Sequence, residues 1–237
     1  MTKFDHPILV HLGAVQEERD RRAKSPQLMA GVQAIKEYQH HRFADTYADL
    51  LRSGRYAPAA RFFLDELYGP GDFSKRDAQF ARVIPALVRI FPADIVQTVE
   101  ALTSLHALSE TLDSEMGAQT DGQVNSASDY AWAWQCTGRA ENRERQIVLM
   151  LSVGASLDAL TRKPLLRTSL LMMRTPARAA GLADLQQLLE RGFETFRSMG
   201  GAQEFLEIIG QRERAVCSRL FSGVALHHRS DVNTDQQ

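Results

Sequence analysis

Apolar residues recur every three or four positions along almost the whole chain, and no stretch alternates between apolar and polar for long. That spacing is helical, because 3.6 residues complete a turn and a stripe at i, i+3, i+4 and i+7 gathers on one face. The period-two stripe that a half-buried strand needs is missing. The pattern therefore predicts an all-α fold, a compact multi-helix bundle of about eight or nine helices packed through their stripes.

The punctuation between stripes sets the order of the helices. Ser25-Pro26 reads as an N-cap hydroxyl followed by a proline in the first helical position. Leu28, Val32, Ile35, Gln39, Phe43, Thr46 and Leu50 then share one face, which predicts a long amphipathic helix ending near Gly54. The next helix begins around Pro58 and stops at Gly69-Pro70. Ser74-Lys75-Arg76-Asp77 has the form of a capping box and opens a helix carrying Phe80, Val83, Ile84, Leu87 and Ile90, with Pro85 placed to kink or divide it.

After Phe91-Pro92 a long helix runs from about Ala93 to Met116. Residues 117–128 form the clearest loop, polar and poor in large apolar groups. Further helices are expected near 128–137, 140–162, 164–174, 183–199 and 202–221. The organisation that follows is one helical domain over residues 1–222, with subdomains 1–117 and 129–222 as the alternative. The tail 223–237 has no core-forming residues and is expected to be disordered.

Charge narrows the classes of partner. Lys and Arg number 28 against 29 Asp and Glu, so no global field draws the chain to nucleic acid or to an acidic membrane. The balance is uneven, however, with a net of −4 over residues 1–138 and +4 over residues 139–221. Such an asymmetry either helps the halves pack or gives the second half an anionic partner. Cys136 and Cys217 form no metal-type pair and no disulfide framework, which fits a reducing compartment. The apolar runs fall short of a membrane span, and the N-terminal one is too short for a signal peptide, so the expected location is cytoplasmic. No P-loop, G-x-G-x-x-G, G-x-S-x-G or H-E-x-x-H occurs, which removes the common nucleotide, hydrolase and metalloprotease readings.

Chemistry concentrates first in Arg61–Phe73, RFFLDELYGPGDF. On a helix, Ala60, Phe63, Leu64 and Leu67 form the core stripe, and Arg61 and Asp65 pair at i,i+4 on the opposite side. Glu66 falls between the directions of Phe62 and Phe63, where an acid must be at a groove edge, paired with a base, or shifted in pKa. One reading is a packed helix with an edge acid bonded to a neighbouring Arg. The other is a pocket lined by Arg61, Glu66, Tyr68 and Asp72. The stretch FFLDELYG with the following DFSKRD resembles the signature of the bacterial FFLEELY-motif proteins, with Asp65 in place of the first Glu and with Glu66 and Tyr68 retained. The resemblance covers residues 58–92 and implies a helical protein of no established activity, with no catalytic residues to carry over.

A second group lies in HALSETLD, where His106, Glu110 and Asp113 at i, i+4 and i+7 share one side of an otherwise apolar helix. One His and two carboxylates are iron, manganese or zinc donors, and His106 oriented by Glu110 has the form of a general base. A di-metal bundle needs paired E-x-x-H motifs, of which the chain has one, Glu37 with His40. A structural polar cluster is the plainer reading of the same trio.

Two further stretches are candidates for binding. Tyr130 and Trp134 share a face as core packing or as a stacking platform for a planar ligand. Arg167 and Arg174, seven apart in the most basic stretch, read as a solvated face, an anion grip, or a partner-docking helix that also uses Met172 and Met173.

Two functions follow. The first is a non-catalytic protein that binds a protein partner or a small ligand between helices and calls for no cofactor, nucleic acid or membrane. The rival is a metal- or haem-dependent bundle enzyme centred on His106, Glu110 and Asp113, with Glu37 and His40 as further donors.

Overall fold

The structure is a computed structural model and describes residues 6–66, 69, 71 and 73–223. Among them are twelve helices and no strand. The first six are α1 (Pro7–Ala23), α2 (Pro26–Thr46), α3 (Ala48–Arg52), α4 (Ala57–Glu66), α5 (Ser74–Ile90) and α6 (Ala93–Gly117). The others are α7 (Ala127–Thr137), α8 (Ala140–Thr161), α9 (Pro164–Met172), α10 (Arg174–Ala179), α11 (Ala183–Met199) and α12 (Gln203–Phe221). The all-α expectation holds, but twelve helices exceed the eight or nine read from the sequence.

The excess comes from three short or early elements. α1 precedes the Ser25 start signal and buries Ile8, Leu12 and Val15. α3 separates from α2 at Tyr47, whose backbone leaves the helical region at φ −115° and ψ 22°. The Tyr47 ring is fully buried, and its hydroxyl donates to Glu213 on α12, so a tertiary anchor sits where the helix breaks. α10 separates from α9 at Met173.

Local signals succeed elsewhere. The Ser25 hydroxyl accepts from Leu28 N at 3.3 Å and caps α2, and Ser126 caps α7 by accepting from Asp129 N at 3.2 Å. Pro85 lies inside α5 without dividing it. The capping box expected at Ser74 and Asp77 does not form; Phe73 occupies the cap position, and Asp77 is drawn instead to Arg19 and His106.

α6 is the hub. It packs against α1 and α2 and also against α7 and α8, joining helices that flank the 117–128 segment. The α2–α6 crossing is tight because Gly31 and Gly117 meet there; a methyl on Gly117 would come within 2.7 Å of Val32 N. The largest core cluster gathers Phe43 of α2, Tyr47 at the break before α3, Phe63 of α4, Phe196 of α11, and Phe205 and Ile209 of α12. A second surrounds Tyr130, Trp134, Met116 and Val216. Among the described residues, no helix is long and apolar enough to cross a membrane.

Candidate functional site

α4 and α11 run antiparallel against each other. Glu66 meets Arg191 at one end, Phe63 faces Phe196 with ring centroids 6.2 Å apart, and Arg55 just before α4 donates to the carbonyl of Met199. Gly192 admits Phe62, whose ring edge would stand 3.1 Å from a methyl at that position. Between the two helices lies an open groove of about 410 Å³. Pro58, Arg61, Phe62, Asp65 and Glu66 line it from α4, and Arg191, Glu194, Thr195 and Ser198 from α11.

Glu66 is buried at 9% exposure and closes one end of the groove. Its Oε2 accepts from Arg76 Nη1 at 2.5 Å, and its Oε1 accepts from Arg191 Nη2. Arg76 in turn lies over the Phe73 ring at 4.2 Å, which fixes it from behind. One carboxylate thus serves two guanidiniums and leaves an excess positive charge at that end. Arg191 keeps about half of its side chain in solvent, at 53%.

Toward the rim, Glu194 bonds Arg197 and lies 3.6 Å from Arg167; the Arg197 bond, with Arg167 adding to it, holds the Glu194 carboxyl below its ordinary range. Arg61 is exposed and makes no ion pair among the described residues. The groove lining itself carries Arg61 and Arg191 against Asp65, Glu66 and Glu194, and Arg76, Arg167 and Arg197 neutralise Glu66 and Glu194 from outside it. Aliphatic and aromatic carbon from Pro58 and Phe62 supplies the apolar surface between them. Such a site can receive an anionic head at the Glu66 end and an apolar body along α4.

A family profile described as a domain of unknown function, DUF8198, matches residues 18–226. The chain belongs to the DUF8198 family. No curated protein and no solved structure matches it. All nine groove-lining residues of this DUF8198 chain lie inside the matched span.

The other sequence candidates are dispersed. Tyr68 and Asp72 lie outside the described residues. His106 is drawn to α5, away from the two carboxylates that share its side of α6, while Glu110 and Asp113 share Lys36. His106 Nε2 is 2.8 Å from Asp77 Oδ2 on α5, where Arg19 Nη2 of α1 also donates at 2.5 Å. Burial pushes the Asp77 carboxyl up, but His106 and Arg19 outweigh it and hold it below the ordinary range. Glu110 accepts from Arg22 and, at 2.7 Å, from Lys36 Nζ. Burial again opposes ionisation there, yet Lys36 and Arg22 bring the carboxyl down to about 2. Asp113 accepts from Gln39 at 3.0 Å, and its burial pushes the carboxyl up.

Glu37 is exposed and accepts from Gln33 at 2.7 Å, and the His40 ring stands edge-on to His41. Among the described residues, no group of three or more His, Cys, Asp or Glu is placed to hold a metal ion. His106, Glu110 and Asp113 of the rival reading are therefore taken up by ion pairs and hydrogen bonds that tie α1, α2 and α5 to α6.

Tyr130 and Trp134 are buried, and their faces are covered. Tyr38 stacks on Tyr130 at 4.3 Å between centroids, and the Arg143 guanidinium lies 3.9 Å above the Trp134 ring. Arg167 and Arg174 remain on the surface of the DUF8198 chain, Arg174 gripping Glu190 through Nε and Nη2 at 2.6–2.9 Å.

Sequence reasoning missed Arg76 and Arg191, the partners that make Glu66 part of a site. Arg76 sits one helix further on, and Arg191 is 125 residues away, so neither shares a helical period with Glu66. The one signal available was the demand that an acid at an aromatic edge find a base.

Proposed function

We propose that this DUF8198 chain acts by binding, without catalysis, and that the α4–α11 groove takes a small anionic ligand with an apolar body, such as an aliphatic or aromatic carboxylate. One observation carries the reading. Glu66, buried at the groove end, binds Arg76 and Arg191 together, so a fixed guanidinium faces solvent beside apolar carbon with a surplus of positive charge. A carboxylate head fits that surplus, because charge-assisted bonds to a prepositioned guanidinium are about twice as strong as neutral ones. The hydroxyl of Thr195 on the facing wall offers a further donor, whereas that of Ser198 already donates to the Thr195 carbonyl.

The residues of the FFLEELY-like stretch form the α4 wall, and membership of that narrower family is part of the proposal. A cytoplasmic location suits it, since such acids are common metabolic intermediates there.

The test is a titration of the purified chain with octanoate and benzoate, followed by calorimetry, beside the neutral amides of the same acids. The carboxylates are expected to bind and the amides to fail. Replacing Arg61 and Arg191 by Gln should weaken carboxylate binding about tenfold per charge-assisted bond lost. Equal binding of acid and amide, or no effect of either replacement, removes the reading.

A further inference from the structure

Arg143, in the first turns of α8, is 3% exposed and makes no ion pair among the described residues. Its Nη1 donates to Gln146 at 3.2 Å, its Nη2 points to the Met116 thioether at 2.8 Å, and its Nε meets no acceptor. The guanidinium lies over the ring of Trp134, whose own Nε1 is buried and meets no acceptor either. A thioether is a weak acceptor, and a guanidinium does not release its proton inside a protein. A full positive charge thus stands in the core beside two N–H groups with nothing to donate to, where such groups are ordinarily paired.

The surrounding carboxylates are committed elsewhere. Glu110 is taken by Arg22 and Lys36, Glu213 by Arg42, and Asp113 by Gln39, with Lys36 4.0 Å from it. Arg22, Lys36, Arg42 and Arg143 therefore face three carboxylates, and burial of Asp113 favours its neutral form. At least one positive charge is left over, and it stands at Arg143. Burial pulls that guanidinium below its ordinary range, against the opposing pull of Tyr130, Asp113 and Cys217. We infer that Arg143 Nε and Trp134 Nε1 bind one small monovalent inorganic anion, of the halide class, in the corner where α6 and α12 both pack against α7 and α8. A halide accepts hydrogen bonds and donates none, which matches a corner whose unmet groups are both donors. One negative charge cancels the excess, whereas a divalent anion would reverse it. The inference is independent of the α4–α11 groove, whose lining includes neither residue.

The experiment compares the full chain in sodium gluconate and in sodium chloride at equal ionic strength, beside Arg143→Met, which carries the general effect of salt on the fold. Relative to that variant, the thermal midpoint of the wild type should rise saturably with chloride, by about 5–10 °C at a hundred times the dissociation constant. Trp134→Phe, which removes one donor, should weaken the chloride response about tenfold. A second measurement needs no change at the site. Trp132 is exposed, so Trp132→Phe leaves Trp134 as the sole tryptophan. Bromide should quench its fluorescence to a plateau, and chloride should reverse that quenching by competition. The inference falls if the wild type and Arg143→Met respond to chloride alike, if Trp134→Phe keeps the full response, or if bromide quenching grows without a plateau or is untouched by chloride.

Discussion

Arg42 of α2 and Glu213 of α12 form a two-armed ion pair, both bonds 3.1 Å long, between residues 171 positions apart. Both side chains are 9% exposed, and the Tyr47 hydroxyl donates to the same carboxylate at 2.8 Å. Breaking such a pair from one side leaves a buried charge without its counter-ion, which costs about 3–5 kcal/mol. Glu213→Gln is therefore expected to lower unfolding stability by about that amount in a urea titration. Replacing Arg42 by Met and Glu213 by Leu together should cost less, because no buried charge is left without a counter-ion and only the Tyr47 hydroxyl must turn to the Ile209 carbonyl, 3.4 Å away. A single replacement as mild as the double would show that the pair is not buried as described.

Glu110 and Asp113, three residues apart on α6, should respond to acid in opposite senses. The Glu110 carboxyl is lowered in the fold from its ordinary 4.5 to about 2, so it contributes stability above about pH 4.5 that is lost as pH falls toward 2. The Asp113 carboxyl is raised from its ordinary 3.8, so the fold favours its protonated form and loses stability as pH climbs through that value. As pH rises from about 2 to about 4.5, Glu110→Gln should fall progressively below wild type in urea midpoint and keep that deficit at higher pH. Asp113→Asn should rise relative to wild type as pH climbs above about 3.8. Movement of both variants in one direction would contradict the two environments.

Glycine supplies a paired test of the α2–α6 crossing. A methyl at Gly31 would overlap the Gly117 carbonyl and the Thr120 hydroxyl, and one at Gly117 would overlap Val32 N. Gly31→Ala and Gly117→Ala are each expected to cost about 1–3 kcal/mol from overpacking against backbone that has nowhere to go. Gly13 in α1 has nothing within 4 Å of a methyl placed there. Gly13→Ala should stabilise the chain by roughly 0.5–1 kcal/mol, the ordinary helical gain over glycine. Thermal unfolding of the three variants reads both signs.

The two thiols should differ sharply in reactivity. Cys136 is exposed, whereas Cys217 is partly buried and its thiol is pushed up to about 11, by burial first and then by Glu213. At mildly alkaline pH a disulfide reagent should modify one thiol promptly and the second only on denaturation. Cys136→Ser should remove the prompt phase. Persistence of that phase would place Cys217 at the surface.

The candidate site was half legible. The sequence placed Glu66 at the edge of an aromatic stripe and stated that it needed a base. Which base, and whether a groove stood beside it, depended on α11 arriving antiparallel to α4 with Gly192 beneath Phe62. The trio His106, Glu110 and Asp113 shows the converse. Their spacing put them on one side of a helix, as the helical period requires, but spacing is silent on what packs above that side. Asp77 of α5 takes His106, while Arg22 of α1 and Lys36 and Gln39 of α2 take Glu110 and Asp113, with Lys36 reaching both carboxylates.

What the sequence determined alone is whatever a few neighbouring residues decide. Helical class follows from a period of 3.6, the start of α2 from Ser25, and the long α6 from an unbroken apolar arc after Phe91-Pro92. Tertiary structure decided which helix meets which, hence the break at Tyr47, the pairing of Arg42 with Glu213, the two guanidiniums on Glu66 and the exposure of α9. The physical reason is one of range. Backbone hydrogen bonds and capping act over about four residues and leave a local imprint, whereas ion pairs and core contacts join positions a hundred or more residues apart, where no periodicity links the partners.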